Sequence, residues 1–496
     1  MKNIVFIISF IMLVSLGLTS CKKFLTETTY SVFNQDNFPK TTADLRSLCN
    51  GMYNLMEVND GYGLVIYELT DLFSDQLYTY GLGGSRADFE NLTVSPSNTE
   101  ILKWWQRSYA IIGRANIIIQ AAPTSPLTPA QIAPFVAEAK FIRAMTYFQM
   151  VKFWGDVPLI TQTFTDLDSI NAHGLPYRTG QDTVYKQIIS DLLEAEQYLP
   201  DEKAIPSTYK GLPSNGAASS LLAKVYLTRA YLPIAEATDF QNAAAESQKI
   251  MNNPNYSLYT NYADVFDVNK ENGSEHIFCI QFDYGSGLLT STLAAYLTPT
   301  SVFPKGFGSF LAERPFYNSY TAKDTIRRNA TYWDKGVGQA GPALGLPYNF
   351  VASANGQPYC GKYKDPVLMS NASNDRCNHI ILRLADVLLM NSEALNRINP
   401  TDPNKYNGIN KVRARVKLDT LTNIPDVTKF ETAILQERGW ELAFEAKRRD
   451  DMIRLGRLVQ VMTADKKPQV QDYMKYYPIP QTERDLNPSL TQNLGY

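Results

Sequence analysis

Ala137, Phe141, Ala144, Phe148 and Val151 follow one another at spacings of four, three, four and three. An α-helix turns once every ~3.6 residues, so all five share one face. Leu384, Leu388, Asn391, Leu395 and Ile398 repeat the spacing, and Ala218, Leu222, Val225 and Leu232 form a comparable stripe. These patterns predict helices over residues 45–56, 101–121, 129–154, 182–199, 214–232, 380–398 and 405–416. Two sets pair across a short break: 182–199 with 214–232, and 380–398 with 405–416. Alanine recurs on the faces, at Ala137, Ala144, Ala223 and Ala230. Helix pairs with small residues at their contacts point to an all-α, tetratricopeptide-like scaffold. The repeat is degenerate, and long insertions interrupt it.

Two regions break the helical pattern. Residues 70–98 are rich in Gly, Ser, Asn and Tyr and contain the run Gly81 to Ser85. Residues 282–366 are dense in Gly, Pro and aromatics. Long irregular segments in a folded protein are usually functional surfaces or disordered insertions, and the aromatic content argues against disorder.

The N-terminus sets the compartment. Lys2 precedes an apolar run, residues 4–18, which ends in Leu18-Thr19-Ser20-Cys21. That run has the length of a signal-peptide core and is short for a membrane span. Cys21 stands where lipoprotein processing needs it, so residues 1–20 read as a lipoprotein signal and Cys21 as the lipidated residue. Residues 21–40 then form a tether. The remainder divides into an N-terminal helical region, 41–270, and a C-terminal region, 271–496, which carries the 282–366 insertion and packs with the first as one unit. No apolar stretch after Ser20 approaches the length of a membrane helix. A net charge of -2 gives no electrostatic reason to expect nucleic acid.

Motifs for chemistry are sparse. Gly336-Val337-Gly338-Gln339-Ala340-Gly341 matches a dinucleotide fingerprint, but Pro342 follows at once and no helix opens to meet a phosphate. His173, His276 and His379 are scattered, and none has a partner at metal-ligand spacing. Neither a GxSxG elbow nor a P-loop occurs. Cys360 and Cys377 are the best candidates for a disulfide among Cys49, Cys279, Cys360 and Cys377; buried free thiols are the preferred reading. Residues 433–456 hold the densest charge, with Glu437, Glu441 and Glu445 spaced by four on one helical face, among Arg438, Arg448, Arg449 and Arg454. A catalytic reading takes these acids as general acid and base; mixed charges favour a half-buried structural network.

Several blocks together resemble one family. Residues 137–144, AEAKFIRA, precede FWGDVPL at 153–159. AASSLLAKVYL follows at 217–227, then LRLADV at 382–387 and EALN at 393–396. QERGWELAFEAKRRDDMIRLGR, YPIP at 477–480 and QNLGY at 492–496 complete the set. In this order they resemble the SusD/RagB-like nutrient-uptake lipoproteins. The resemblance implies an α-helical scaffold of four tetratricopeptide-like pairs whose loops form the ligand face. It also implies a site at the outer face of the outer membrane, beneath which a SusC-like, TonB-dependent barrel acts as transporter. The implied ligand is a glycan, sometimes a peptide, with no catalysis and no cofactor. Three features depart from the family pattern: Lys22-Lys23 after the anchor, where many members are acidic, Ala446-Lys447 in place of Gly-His, and Leu494 in place of proline.

Sugar rings present flat C–H faces that stack on aromatic rings, while their hydroxyls need polar neighbours. Aromatics flanked by glycine in the irregular segments therefore make the candidate ligand-binding set: Tyr78 and Tyr80 beside the glycine run, Arg86 and Asp88 after it, Tyr284, and Phe307 between Gly306 and Gly308. Trp104 and Trp105 are expected to pack inside a helix. The alternatives are an envelope glycan hydrolase with paired carboxylates, a peptide binder of the same family, and a structural protein whose loops touch only the barrel.

Overall fold

The computed structural model describes residues 38–163, 174–283, 289–298, 306–333, 358–365, 374–465 and 467–496. Cys21, His173, Tyr284 and the 336–341 glycine motif lie outside them. Nine longer helices carry the described scaffold: α1 (Thr42–Met56), α2 (Thr99–Ala121), α3 (Pro129–Trp154), α4 (Gln181–Tyr198), α5 (Asn215–Arg229), α6 (Asp239–Met251), α7 (Leu384–Ile398), α8 (Lys405–Arg415) and α9 (Val427–Glu441). Each packs on the next, from α1 against α2 through to α7 against α8, and α9 closes onto α7. This nearest-neighbour stacking is the tetratricopeptide-like architecture that the spacing predicts.

α3 shows why the stack holds. Pro129 sits at its first position, where the missing N–H costs nothing, and the Thr128 N–H donates to Gln131 Oε1 at 3.0 Å. Phe141, Ala144, Tyr147, Phe148, Val151 and Trp154 are all buried, on more than one face, because α1, α2 and α4 surround the helix. Burial of each large apolar side chain contributes about 1.5–3 kcal/mol. The polar residues of the AEAKFIRA block are ties between layers. Glu138 accepts from both terminal nitrogens of the Arg46 guanidinium at 2.8 and 2.9 Å, joining α3 to α1. Arg143 forks onto Asp191 of α4 at 2.8 and 2.7 Å and donates to Asn116 of α2 at 2.8 Å.

α6 and α7 are neighbours in space but are separated by 132 residues of intervening chain, counted from Asn252 to Arg383. That excursion carries most of the strands. β2 (His276–Ile280) pairs antiparallel with β6 (His379–Arg383), setting His276 opposite Arg383. β1 (Leu77–Thr79), β3 (Phe310–Ala312), β4 (Tyr332–Trp333) and β5 (Tyr359–Cys360) form a second sheet in the order β1-β3-β5-β4. The helix predicted over 380–398 therefore begins only at Leu384. Its first apolar residues are drawn into β6, since β2 offers a ladder there.

The C-terminal motif clamps the end of α3. The Tyr477 N–H donates to Phe153 O at 2.7 Å and Trp154 Nε1 to Pro478 O at 3.1 Å. Asn493 Nδ2 donates to Trp154 O at 3.0 Å and Tyr477 O at 2.7 Å, and Gln492 bonds both backbone groups of Ile479. Leu494, in place of the expected proline, is exposed and touches none of these bonds. Cys49, Cys279, Cys360 and Cys377 are buried free thiols, so the Cys360–Cys377 disulfide does not form. Burial pushes the Cys360 thiol up to about 12, which leaves it unreactive.

Candidate functional site

The charge cluster is a structural hub. α9 ends at Glu441, and the chain turns through Phe444 and Ala446, both at positive φ, before a short helix, Arg448–Arg454. Glu445 is thus not on the helical face of Glu437 and Glu441 that its spacing predicts. The turn nevertheless returns it to the same cation. Arg383 donates to Glu275 Oε1 at 2.8 Å, Glu441 Oε1 at 2.7 Å and both Glu445 oxygens at 2.8 and 2.9 Å. Arg415 bridges Glu275 and Glu441, Arg327 reaches Glu437 at 2.6 Å, and Lys362 reaches Glu445 at 2.7 Å. All these side chains are essentially buried. Burial alone would raise Glu441, but Arg415, Arg383 and Arg327 outweigh it and hold the carboxyl well below its usual range. Glu445 is lowered in the same way by Arg383 and Lys362. Neither carboxylate is poised to exchange a proton near neutral pH.

The described candidate residues gather at the β1–β3 end of the four-stranded sheet. The ladder pairs Leu77 with Ala312, Tyr78 with Leu311 and Thr79 with Phe310. The Tyr80 N–H extends it to Ser309 O at 2.8 Å. The chain then reverses through Gly81 and Gly84, at φ 71° and 65°, a region that side chains disfavour. Thr79 holds the returning segment by donating from N and Oγ1 to Glu90 Oε2, at 2.7 and 2.6 Å.

A cation and three rings follow one another there. The Arg86 guanidinium lies 5.3 Å from the centre of the Tyr296 ring and donates through Nε to Glu68. Glu68 is fully buried; desolvation pushes it up to about 7 against the pull of Arg86. Tyr296 meets Phe307 edge to face at 5.0 Å and Phe310 at 4.9 Å. The Phe307 N–H donates to Ala295 O at 2.6 Å, which fixes the loop on the short helix Leu293–Leu297. Phe307 is 46% exposed and Tyr80 is 51% exposed, both unusual for large rings. The result is a rim in which the outward Phe307 ring rests on Tyr296 beside the part-exposed Arg86 guanidinium, with the exposed Tyr80 on the neighbouring strand.

Tyr78 lies in this sheet but is half-buried, level with Leu311 and Tyr359 across the strands. Asp88 helps to hold the loop. It accepts from Asn98 Nδ2 at 2.9 Å, while Asn98 Oδ1 caps α2 at Glu100 N and Ile101 N. Tyr296, which joins Arg86 to Phe307, escapes the glycine-flanking rule because it sits in the apolar run LAAYL. Trp104 and Trp105 are buried in α2 as expected. The rim is a platform, and the larger hollows lie elsewhere. One of about 290 Å³ is lined by Asp75, Phe316 and Arg448, and an open groove of about 710 Å³ runs beside α6, α7 and α8. Among the described residues no group of His, Cys, Asp and Glu could hold a metal ion.

Comparison with known proteins agrees with this architecture. Residues 316–496 match the SusD family, and residues 18–227 match a family described as "Starch-binding associating with outer membrane". SusD-like protein P2 of Formosa agariphila is 30% identical over 99% of this chain and 99% of its own. A SusD superfamily protein from Parabacteroides distasonis superposes with a TM-score of 0.78 at 26% identity, over 92% of this chain and 100% of that one. A solved structure described as a laminarin-binding SusD-like protein gives a TM-score of 0.76 at 26% identity, with the same coverage. The helix stack, the interlayer ion pairs built from the sequence blocks and these full-length likenesses place the chain in the SusD/RagB-like family.

Proposed function

We propose that this protein is a lipid-anchored, outer-membrane glycan-binding protein that holds an oligosaccharide on the Tyr80–Arg86–Tyr296–Phe307 rim for a SusC-like, TonB-dependent transporter. The observation that carries this reading is the exposed Phe307 ring, locked against Tyr296 beside a guanidinium. A flat apolar face next to charged donors suits a sugar ring and its hydroxyls. The laminarin-binding relative supports a glycan as the ligand class, and the family description supports the outer membrane. Tyr78 is a secondary contact in this reading, Asp88 acts by holding the loop, and Tyr284 falls in the same insertion.

Calorimetry of the purified mature protein against a glycan panel that includes laminari-oligosaccharides tests it, with a reducing-end assay run in parallel. Binding without release of new reducing ends is expected. Turnover would favour the hydrolase, and no binding to any glycan would favour a purely structural partner. The anchor has its own test. Cys21→Ala is expected to leave the protein unlipidated and outside the detergent phase on phase separation, because several acyl chains are needed for firm attachment. A variant that matures normally and still partitions into detergent would contradict the anchor.

A further inference from the structure

Three lysines from different elements line one small hollow. Lys152 comes from the last turn of α3, Lys224 from α5 and Lys447 from the turn after α9. The hollow measures about 40 Å³, and Gln149 and His379 also line it. No carboxylate is among its lining residues. Lys152 pairs with Asp450 and Lys224 with Asp386 at 3.0 Å. Each of those acids is shared with an arginine, Asp450 with Arg449 at 3.6 Å and Asp386 with Arg438 at 2.8 Å. The lysine charge is therefore only partly balanced. Lys447 is 8% exposed and donates to Ile380 O at 3.2 Å, with no carboxylate in ion-pair range among the described residues. Gln149 Nε2 is buried and has no hydrogen-bond partner among them.

A buried donor without an acceptor is costly, and so is a buried ammonium without a counter-charge. Here both occur at one hollow, which offers donors and cations together. The space decides the size of the guest. A water needs roughly 10–15 Å³ of such space, so about 40 Å³ takes one monatomic ion or a few waters and no sugar ring.

We propose that this hollow is a binding site for one small monovalent anion of the halide class, held by the Lys447, Lys152 and Lys224 ammonium groups and the Gln149 amide. The anion supplies the missing acceptor and counter-charge, and it ties α3, α5 and the turn after α9 to one point. Burial, with Lys224 and Lys152 nearby, depresses Lys447 to about 7 against the opposing pull of Asp386 and Glu445. Bound halide adds to that opposing pull and keeps the ammonium charged.

Bromide is the probe. Crystals of the mature protein grown in sodium bromide are expected to give an anomalous peak within contact distance of Lys447 Nζ and Gln149 Nε2. In solution, the unfolding midpoint is expected to rise saturably with sodium chloride when sodium gluconate holds the ionic strength constant. Lys447→Met, which keeps a similar length and removes the charge, is expected to lose that saturable rise. Density in the hollow without anomalous signal overturns the site. So does a midpoint that follows ionic strength regardless of the anion, or a Lys447→Met variant that responds to chloride like the parent.

Discussion

Arg383→Met is expected to unfold in urea with about 3–5 kcal/mol less stability than the parent, because it strips the shared cation from buried carboxylates that cannot reach water. Glu275, from one segment, and Glu441 and Glu445, from another far along the chain, all bond to this one guanidinium. Replacing a whole buried network with apolar residues can be neutral, whereas removing one partner leaves charge uncompensated. The sign of the pH dependence follows from the acids. A carboxyl lowered in the folded state contributes its full stabilisation above the unfolded pKa of ~4.3 and loses it as pH falls toward the folded value. Glu441 is such a group, held down by Arg415, Arg383 and Arg327 against the effect of burial. The stability lost in Glu441→Gln is therefore expected to be largest at neutral pH and to shrink below about pH 4. Urea titrations at neutral and acid pH measure it, and a difference that ignores pH would contradict the assignment.

Gly408→Ala is expected to cost about 3 kcal/mol, at the upper end for overpacking. α7 and α8 approach so closely there that a Cβ on Gly408 would lie 2.0 Å from Leu388 O and 2.8 Å from Ser392 Oγ. A backbone carbonyl inside α7 cannot swing aside, and Ser392 Oγ already accepts from the Ile409 N–H at 2.9 Å. Gly113→Ala in α2 is the control. Its Cβ would meet nothing within 4 Å, so the gain in helix propensity, up to ~1 kcal/mol, is expected to show. Chemical unfolding of the two variants side by side separates contact from propensity; equal effects would contradict the close approach.

The scaffold was legible because its signal is local. The 129–154 helix is read to the residue from apolar spacing and its N-terminal proline. The reading of 380–383 as helix fails because β6 exists only through its pairing with β2, about a hundred residues earlier. The charge cluster was legible as structural, but its partners were not. Arg327, Lys362, Arg383 and Arg415 converge only after folding, and the turn at Phe444 and Ala446 gives no period to read. At the rim, glycine-flanked aromatics led to Tyr80 and Phe307. They could not lead to Tyr296, whose run looks like ordinary core. Asp88 accepts from Asn98, the residue that caps α2, a partner its sequence neighbours do not reveal.

The rim as glycan platform is tested most directly by one comparison. Calorimetry measures binding of the parent and of Phe307→Ala to the best-binding member of the glycan panel, with matching unfolding midpoints as the check on folding. Phe307 is 46% exposed, so its removal leaves the core intact. Loss of one stacking ring is worth about 0.5–1.5 kcal/mol, taking the magnitude of aromatic pairing, or roughly 2–13-fold in affinity. The account predicts that weakening with an unchanged midpoint. Parent-like affinity in a folded Phe307→Ala protein would contradict it and move the ligand face away from this rim.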